Sequence, residues 1–145
     1  MTFSYGVSLQ IRHPYADPQK IAGGIGLTPE RCWAVGEARE TPKGTPLFGT
    51  HSESYCVFDL GSGDDGALAE FLREAVKRLE HAAAFIGELR ETGGELNFYV
   101  SWTLGERGEL FDVELLANMA RLGIDLGIEP VRVKQVRHQD AVDIS

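Results

Sequence analysis

Residues 55–72 read YCVFDLGSGDDGALAEFL, and this stretch decides the fold of the chain. Its opening predicts a strand, because Cys56, Phe58 and Leu60 alternate with other residues and share one face. A glycine-rich segment follows. Leu68 then begins a pattern of apolar residues spaced three and four apart, which is typical of an amphipathic helix. The stretch therefore predicts a strand, a turn and a long helix in succession.

The helix that begins at Leu68 has the strongest periodicity in the sequence. Its apolar stripe continues as far as Leu89, with a predicted break near His81. Thr92 and two glycines after it end the helix. The first six members of the stripe are Leu68, Phe71, Leu72, Ala75, Val76 and Leu79.

The segment Gly61–Gly66 has the G-x-G-x-x-G spacing of a dinucleotide-binding turn. A dinucleotide fold also needs an acidic residue about 20 residues later, at the end of the next strand. That distance falls inside the long helix, near Glu88. Moreover, Asp64 and Asp65 stand where a pyrophosphate would bind, and a carboxylate 4 Å from a phosphate costs about 1–4 kcal/mol. We interpret the segment as a tight structural turn whose aspartates cap the helix, and we predict no cofactor.

Four further strands are predicted, at residues 3–12, 31–35, 96–104 and 128–136. Two shorter helices are marked by their ends. The first lies between Asp17 and Gly26, and the second between Asp112 and Gly123. We expect these residues of the second helix to face the interior: Leu115, Leu116, Met119, Ala120 and Leu122.

These elements predict an α+β fold. We expect a single-layer, mostly antiparallel sheet with helices packed on one face and ferredoxin-like strand–helix–strand units. The units around Asp17 and Asp112 resemble each other, which raises the hypothesis of an internal pseudo-repeat. Residues 1–138 form one domain in this interpretation. Residues 36–54 are predicted to be a long irregular loop, and 139–145 a loose tail.

The composition excludes several classes of function. The chain has 145 residues and a net charge of −8, so on average it repels nucleic acid and anionic lipid. Apolar runs fall short of the roughly 20 residues that cross a bilayer, and the start lacks a signal-peptide pattern. Two cysteines are too few for a disulfide scaffold. We predict a cytoplasmic protein with no nucleic-acid or membrane partner.

The sequence offers little support for a metal site or for catalysis. Cysteines and histidines show neither C-x-x-C nor H-x-x-x-H spacing. The aspartates Asp59, Asp64 and Asp65 lack the D-x-D-x-D-G order of a calcium loop. Ser52 or Ser54 beside His51 lacks the signature of a nucleophile elbow. We predict no metal ligands and no catalytic residues, and we favour a protein without enzymatic activity.

Two sets of residues are candidates for binding. Trp33 stands beside the 36–54 loop, where an aromatic ring can line a pocket, whereas strand alternation places Trp102 in the core. Basic residues near Trp33 suggest an anionic ligand. The candidate ligand-binding residues are Arg31, Trp33, Arg39 and His51.

The second set is a basic stripe near the C-terminus, formed by Arg132, Lys134 and Arg137. These residues are candidates for facing an acidic partner. Basic side chains on a final strand also deter strand-to-strand aggregation, and we favour this second interpretation.

Two blocks of sequence carry a family resemblance. Residues 17–37 read DPQKIAGGIGLTPERCWAVGE, and residues 112–126 read DVELLANMARLGIDL. Together with the strands YCVFDL and LNFYVSW, they resemble the bacterial domain-of-unknown-function family 4279 over nearly the whole chain. That family usually has a tryptophan in the strand after the long loop, where this chain has Tyr55, Cys56 and Phe58. The resemblance implies a small soluble bacterial domain with no established activity and no catalytic residues to carry over.

Two functional hypotheses stay open. The leading one is a non-enzymatic module that binds a protein partner or forms a homodimer, immunity-like by analogy with similar small domains. The alternative is a small-ligand sensor or an enzyme, with its pocket under the 36–54 loop near Trp33.

Overall fold

The computed structural model describes residues 4–103 and 108–131. These residues form seven β-strands and four α-helices. The strands are β1 (Ser4–His13), β2 (Arg31–Trp33), β3 (Ala38–Glu40), β4 (Pro46–Thr50), β5 (Ser54–Gly63), β6 (Glu95–Thr103) and β7 (Asp125–Val131). The helices are α1 (Pro18–Ile25), α2 (Leu68–Leu79), α3 (Ala83–Glu91) and α4 (Val113–Leu122).

The predicted α+β class is confirmed. Five strands form the main sheet in the order β2-β5-β1-β6-β7, with the helices on one side, while β3 and β4 form a separate two-stranded sheet. All pairs in the main sheet are antiparallel except β6 with β7. The connection from β1 through α1 to β2 passes over β5, and the connection from β5 to β6 passes over β1. The ferredoxin-like relationship and the pseudo-repeat stay predictions.

The core lies between the main sheet and the helices. β1 is the central strand, and its alternation of apolar and polar residues buries every second side chain. Leu9 stands between Phe58 of β5 and Phe98 of β6, and all three side chains are buried. The helices complete this core with their apolar faces, including Ile21, Leu72 and Ile86 among others. Trp102 packs at its margin, partly buried.

The predicted helix ends are confirmed for α1 and α4. Asp17 precedes α1, and its carboxylate accepts a hydrogen bond from Gln19 N at 2.9 Å. Asp112 precedes α4 and accepts from Leu115 N at 2.9 Å. Each bond satisfies a backbone donor that has no partner within the helix. Gly26 and Gly123 end the two helices as predicted.

The long helical segment breaks where the sequence predicts. A 3₁₀ turn over Glu80–Ala82 separates α2 from α3, and a ring nitrogen of His81 lies 3.1 Å from the carbonyl of Ile25. One expectation for α4 is wrong, because Leu116 and Ala120 are exposed while Leu115 and Met119 are buried. The helix packs against its neighbours along a narrower stripe than the sequence suggests.

The interpretation of Gly61–Gly66 as a tight turn requires correction. β5 continues through Gly63, so the first half of the segment belongs to the sheet. The glycines at positions 61 and 63 provide room for rings: a Cβ at Gly61 would lie 3.0 Å from Phe71, and one at Gly63 would lie 2.5 Å from the Tyr5 hydroxyl. Tyr5 and Phe71 then meet edge to face at 5.6 Å. Two of the three glycines in the spacing therefore reflect aromatic packing, while Gly66 adopts a φ of 74°.

The cap of α2 also differs from the prediction. Ala67 precedes the helix and supplies no side-chain cap. Asp65 instead accepts hydrogen bonds from Ala67 N at 2.9 Å and from the Tyr5 hydroxyl at 3.0 Å. The donor inside the helix, Ala69 N, is bound at 3.0 Å by the carboxylate of Glu109. Glu109, 40 positions along the chain from Ala69, therefore supplies the helix cap that was predicted for Asp64 and Asp65.

The predicted irregular loop at 36–54 is largely a β-hairpin, formed by β3 and β4. A tight turn joins the strands: Thr41 N donates to the Thr45 carbonyl at 2.8 Å, and Gly44 adopts a φ of 89°. The expectation was wrong because both strands are exposed along their whole length. Burial of one face is what creates an alternating pattern, and it is missing here.

Some predictions lie outside the described residues. Arg132, Lys134 and Arg137, the strand beyond Val131 and the tail at 139–145 belong to this group. Within the described ranges, no helix combines the length and apolar character needed to span a membrane.

Candidate ligand-binding site

The candidate site lies on the face of the main sheet that the helices leave open. In the β2–β5 pair, Arg31 stands opposite Val57 and Trp33 stands opposite Tyr55. Cys32 and its partner Cys56 point to the helix side, because successive side chains on a strand alternate between faces. The two-residue spacing from Arg31 to Trp33 thus places both side chains on the open face.

The aromatic rings at this site form a column, which we call the Trp33 column. The imidazole of His51 stacks on Trp33 with ring centroids 4.1 Å apart and planes 13° from parallel. Tyr55 contacts Trp33 at 4.6 Å, and the guanidinium of Arg12 lies 4.9 Å above the Tyr55 ring. Arg31 lies 5.1 Å from the Trp33 ring. Each such contact contributes about 0.5–1.5 kcal/mol, so together they make a rigid floor.

The β3–β4 hairpin is held over this floor by backbone hydrogen bonds at its base. Gly36 N donates to the His51 carbonyl at 2.8 Å, and His51 N donates to the Glu37 carbonyl at 2.9 Å. The Glu37 carboxylate accepts from Ala34 N. These bonds fix both the imidazole and the start of β3, so the hairpin has a defined position relative to Trp33.

The hairpin and the open face border a cavity of about 790 Å³ that is open to solvent on one side. A volume of this size is within the usual range for small-molecule sites. Its walls come from β2, the hairpin and β5. The side chain of Cys32 packs against the core on the other face, although this residue also borders the cavity. The lining residues are Glu30, Arg31, Cys32, Trp33, Glu37, Ala38, Glu40, Thr41, Pro42, His51, Tyr55 and Val57.

The lining carries more acidic than basic side chains, and the expected anionic ligand stays a prediction. Three carboxylates, those of Glu30, Glu37 and Glu40, share the walls with one guanidinium, that of Arg31. A carboxylate 4 Å from an anion costs about 1 kcal/mol in water and about 4 kcal/mol at an effective dielectric constant of 20.

Three of the four predicted ligand-binding residues, Arg31, Trp33 and His51, come together in the cavity. Arg39 does not belong to its lining. The side chain donates across the hairpin to the Phe48 carbonyl at 3.1 Å, while its neighbours Ala38 and Glu40 face the cavity. Successive side chains on β3 point to opposite sides, so Arg39 faces away from the cavity that Ala38 and Glu40 line. A loop was predicted here from the sequence, so this alternation was not expected.

The carboxylates and Tyr55 were not predicted from the sequence. Tyr55 is the buried member of the column. Burial raises the pKa of its phenol, while the nearby guanidiniums of Arg12 and Arg31 act in the opposite direction. The phenol stays neutral under physiological conditions. Its position could have been inferred from the sequence only by pairing it with Trp33 across the strands.

Metal binding finds no support in the described part of the chain. Residues 4–103 and 108–131 contain no group of three or more His, Cys, Asp or Glu side chains arranged to hold an ion.

Comparison with protein-family models, with curated proteins and with solved structures gave no match to this chain. The resemblance to domain-of-unknown-function family 4279 therefore stays a prediction.

Proposed function

We propose that this protein binds a small organic amine in the cavity between the β3–β4 hairpin and the Trp33 column. The observation that carries the proposal is the combination of an aromatic floor with three carboxylates in the walls. Amines are cationic at neutral pH, so the carboxylates attract them, whereas the same carboxylates repel an ionised acid. The aromatic floor accommodates the hydrocarbon part of such a ligand.

The carboxylates, more than the ring of Trp33, supply the attraction. That ring already contacts His51, Tyr55 and Arg31. Glu37 is engaged by a backbone donor, which leaves Glu30 and Glu40 as the carboxylates that we assign to the ammonium group. Arg31 stands in the same lining and can receive a carboxylate of the ligand, so amino acids are included among the amines.

The test is a thermal-shift and calorimetry screen with matched sets of amines, amino acids and carboxylic acids of similar size. We expect saturable binding and a raised Tm with amines or amino acids, and none with simple acids. Glu40→Gln removes one wall charge at an exposed position and should weaken the amine by about 3–10-fold. Glu91→Gln, an exposed change on α3 far from the cavity, is the matched control and should leave affinity unchanged.

Two results would contradict the proposal. One is the absence of saturable binding by any amine across the screen. The other is equal weakening by Glu40→Gln and Glu91→Gln, because a loss that depends only on net charge does not require this cavity.

A second candidate function, protein binding, is favoured by strand β4 of the hairpin. Phe48 is 95% exposed and the neighbouring Leu47 is 43% exposed. Consecutive residues on a strand point to opposite faces, so we assign the contact to Phe48, since an exposed large apolar side chain is a common feature of protein contacts. The unpaired edges of the hairpin add backbone donors and acceptors.

Light scattering and pull-down with Phe48→Ser test this second candidate. A defined homodimer or a stable partner that the variant loses would support it. Leu110→Ser, which changes another exposed apolar residue (76% exposed) away from the hairpin, should have no effect. A chain that stays monomeric and retains no partner would contradict it.

A further inference from the structure

We propose that Cys32 and Cys56 form a reversible disulfide, so that this pair is a site of thiol oxidation. The inference is independent of the amine-binding proposal. It depends on the pairing of β2 with β5, which no sequence motif indicates.

The sheet register brings the two cysteines together. Cys32 stands directly opposite Cys56 in the antiparallel β2–β5 pair. Residues directly opposite in such a pair have Cα atoms about 4.5–5.5 Å apart, and disulfides span about 4.4–6.8 Å between Cα atoms. Both thiols are free, and that of Cys32 is close enough to Cys56 to hydrogen-bond with it. The bond can form with little movement of the backbone.

The two thiols differ in access. Cys32 is half-buried on a three-residue edge strand, whereas the side chain of Cys56 is fully buried. The Cys56 thiol also lies 3.7 Å from the Pro18 carbonyl, to which it donates. An oxidant from solution therefore reaches Cys32 first, and Cys56 acts second.

The reaction with a small disulfide such as oxidised glutathione has two steps. The Cys32 thiolate attacks one sulfur, forms a mixed disulfide and releases the first glutathione thiol. The Cys56 thiolate then attacks the Cys32 sulfur and releases the second. The protein loses two protons and two electrons in total, and the small disulfide gains them. Added dithiol reverses both steps.

The burial of Cys56 sets the expected rates. Burial, together with the charge and hydrogen bond of Cys32, raises the pKa of the Cys56 thiol to about 12. Burial is the largest of these causes and stays when Cys32 is in the mixed disulfide, so little Cys56 thiolate is present at neutral pH and the second step is the slower one, accelerating as the pH rises. We expect the mixed disulfide to be detectable as an intermediate.

The bond would tie an edge strand to the sheet. β2 carries Arg31 and Trp33 and pairs with β5 over only three residues. A disulfide at its middle residue closes the chain segment that contains the whole hairpin. We expect the oxidised protein to melt about 5–10 °C higher than the reduced protein.

The test treats the native full chain with oxidised glutathione and follows intact mass and non-reducing peptide maps over time. We expect the loss of two hydrogen atoms and a peptide that links Cys32 to Cys56, with complete reversal by a dithiol. Cys56→Ser should stop at the mixed disulfide on Cys32. Cys32→Ser should react far more slowly than the wild type until denaturant exposes Cys56.

The wild-type result decides the proposal even if a variant fails to fold. A native chain that retains both thiols, or that stops at the mixed disulfide, would overturn it. Reaction of Cys32→Ser at the wild-type rate would also overturn it, since Cys56 would then be accessible directly.

Discussion

The two faces of the main sheet differ in what they are built to do, and strand β5 shows the difference residue by residue. Cys56 and Phe58 point to the helix side, where they are fully enclosed by apolar neighbours. Tyr55 and Val57 point to the other side, where they line the cavity below the hairpin. One strand thus contributes to a packed core and to a polar cavity.

The comparison indicates a division between stability and binding. The helix face gains its free energy from apolar surface that is removed from water, at about 25 cal/mol per Å². The hairpin face is held by a few hydrogen bonds and ring contacts, and it retains charged walls. Changes on the helix face should therefore affect unfolding, whereas changes on the hairpin face should affect ligands.

The largest expected effect is the truncation of a core ring. Phe98→Ala removes a fully buried ring that stands beside Leu9, and we expect a loss of about 3–5 kcal/mol in the free energy of unfolding. Phe48→Ala, the matched change on the exposed hairpin, should alter this free energy by less than about 0.5 kcal/mol. Urea denaturation of both variants provides the measurement. Equal losses of unfolding free energy in the two variants would contradict the assignment of stability to the helix face.

A smaller effect concerns pH and the end of β1. His13 is 1% exposed, and its Nδ1 accepts hydrogen bonds from Tyr15 N and Ala16 N at 3.1 and 3.0 Å. Nε2 therefore carries the proton and donates to Thr92 Oγ1 at 2.7 Å. Burial lowers the pKa of His13, so the folded state resists a second proton that the unfolded state accepts near pH 6.5.

The sign of the pH dependence follows from this pKa. The contribution of His13 is complete above about pH 6.5 and is lost as the pH falls towards the lower folded value. We expect His13 to lower the free energy of unfolding between about pH 7.5 and about pH 5 by no more than about 2 kcal/mol, the limit for one proton taken up with an unfolded pKa of about 6.5. His13→Asn should be less stable at the higher pH and should show a shallower decrease. A variant with the wild-type slope would contradict the role of His13.

The cap of α2 gives a more modest prediction. Glu109→Ala removes the acceptor of Ala69 N, and we expect a loss of about 0.5–2 kcal/mol in the free energy of unfolding. Glu114→Ala, a change in the first turn of α4, controls for the loss of an acidic residue near a helix start. Chemical denaturation distinguishes the two variants, and a stable Glu109→Ala protein would show that the cap is dispensable.

The smallest expected change in global stability comes from the hairpin turn. Gly44 has a φ of 89°, which costs other residues about 1–2 kcal/mol. Gly44→Ala should therefore disturb the hairpin and weaken amine binding. Because the hairpin lies outside the core and can open locally while the core stays folded, the free energy of global unfolding should fall by less than this strain cost. Calorimetry and urea denaturation on one preparation separate the two effects.

The two faces also differ in how well the sequence predicts them. Three features were correctly predicted: the stripe from Leu68 to Leu79, the alternation in β1, and the caps at Asp17 and Asp112. The first two patterns arise because one face is buried, and each cap binds a backbone donor only a few residues away in sequence. The hairpin is exposed on both strands and therefore leaves no periodic signal. Gly61 and Gly63 were misinterpreted because the rings that exclude a side chain there, those of Phe71 and Tyr5, belong to other segments of the chain. Glu109 was missed for the same reason.

The most direct test of the proposed site is an NMR titration of isotope-labelled protein with the amine that binds best in the screen. We predict saturable shifts at Trp33, Glu40 and His51, with the same dissociation constant at each, while the amides of Leu9 and Phe98 stay in place. Shifts that do not saturate, or that appear first on the helix face, would contradict the assignment of binding to the hairpin cavity.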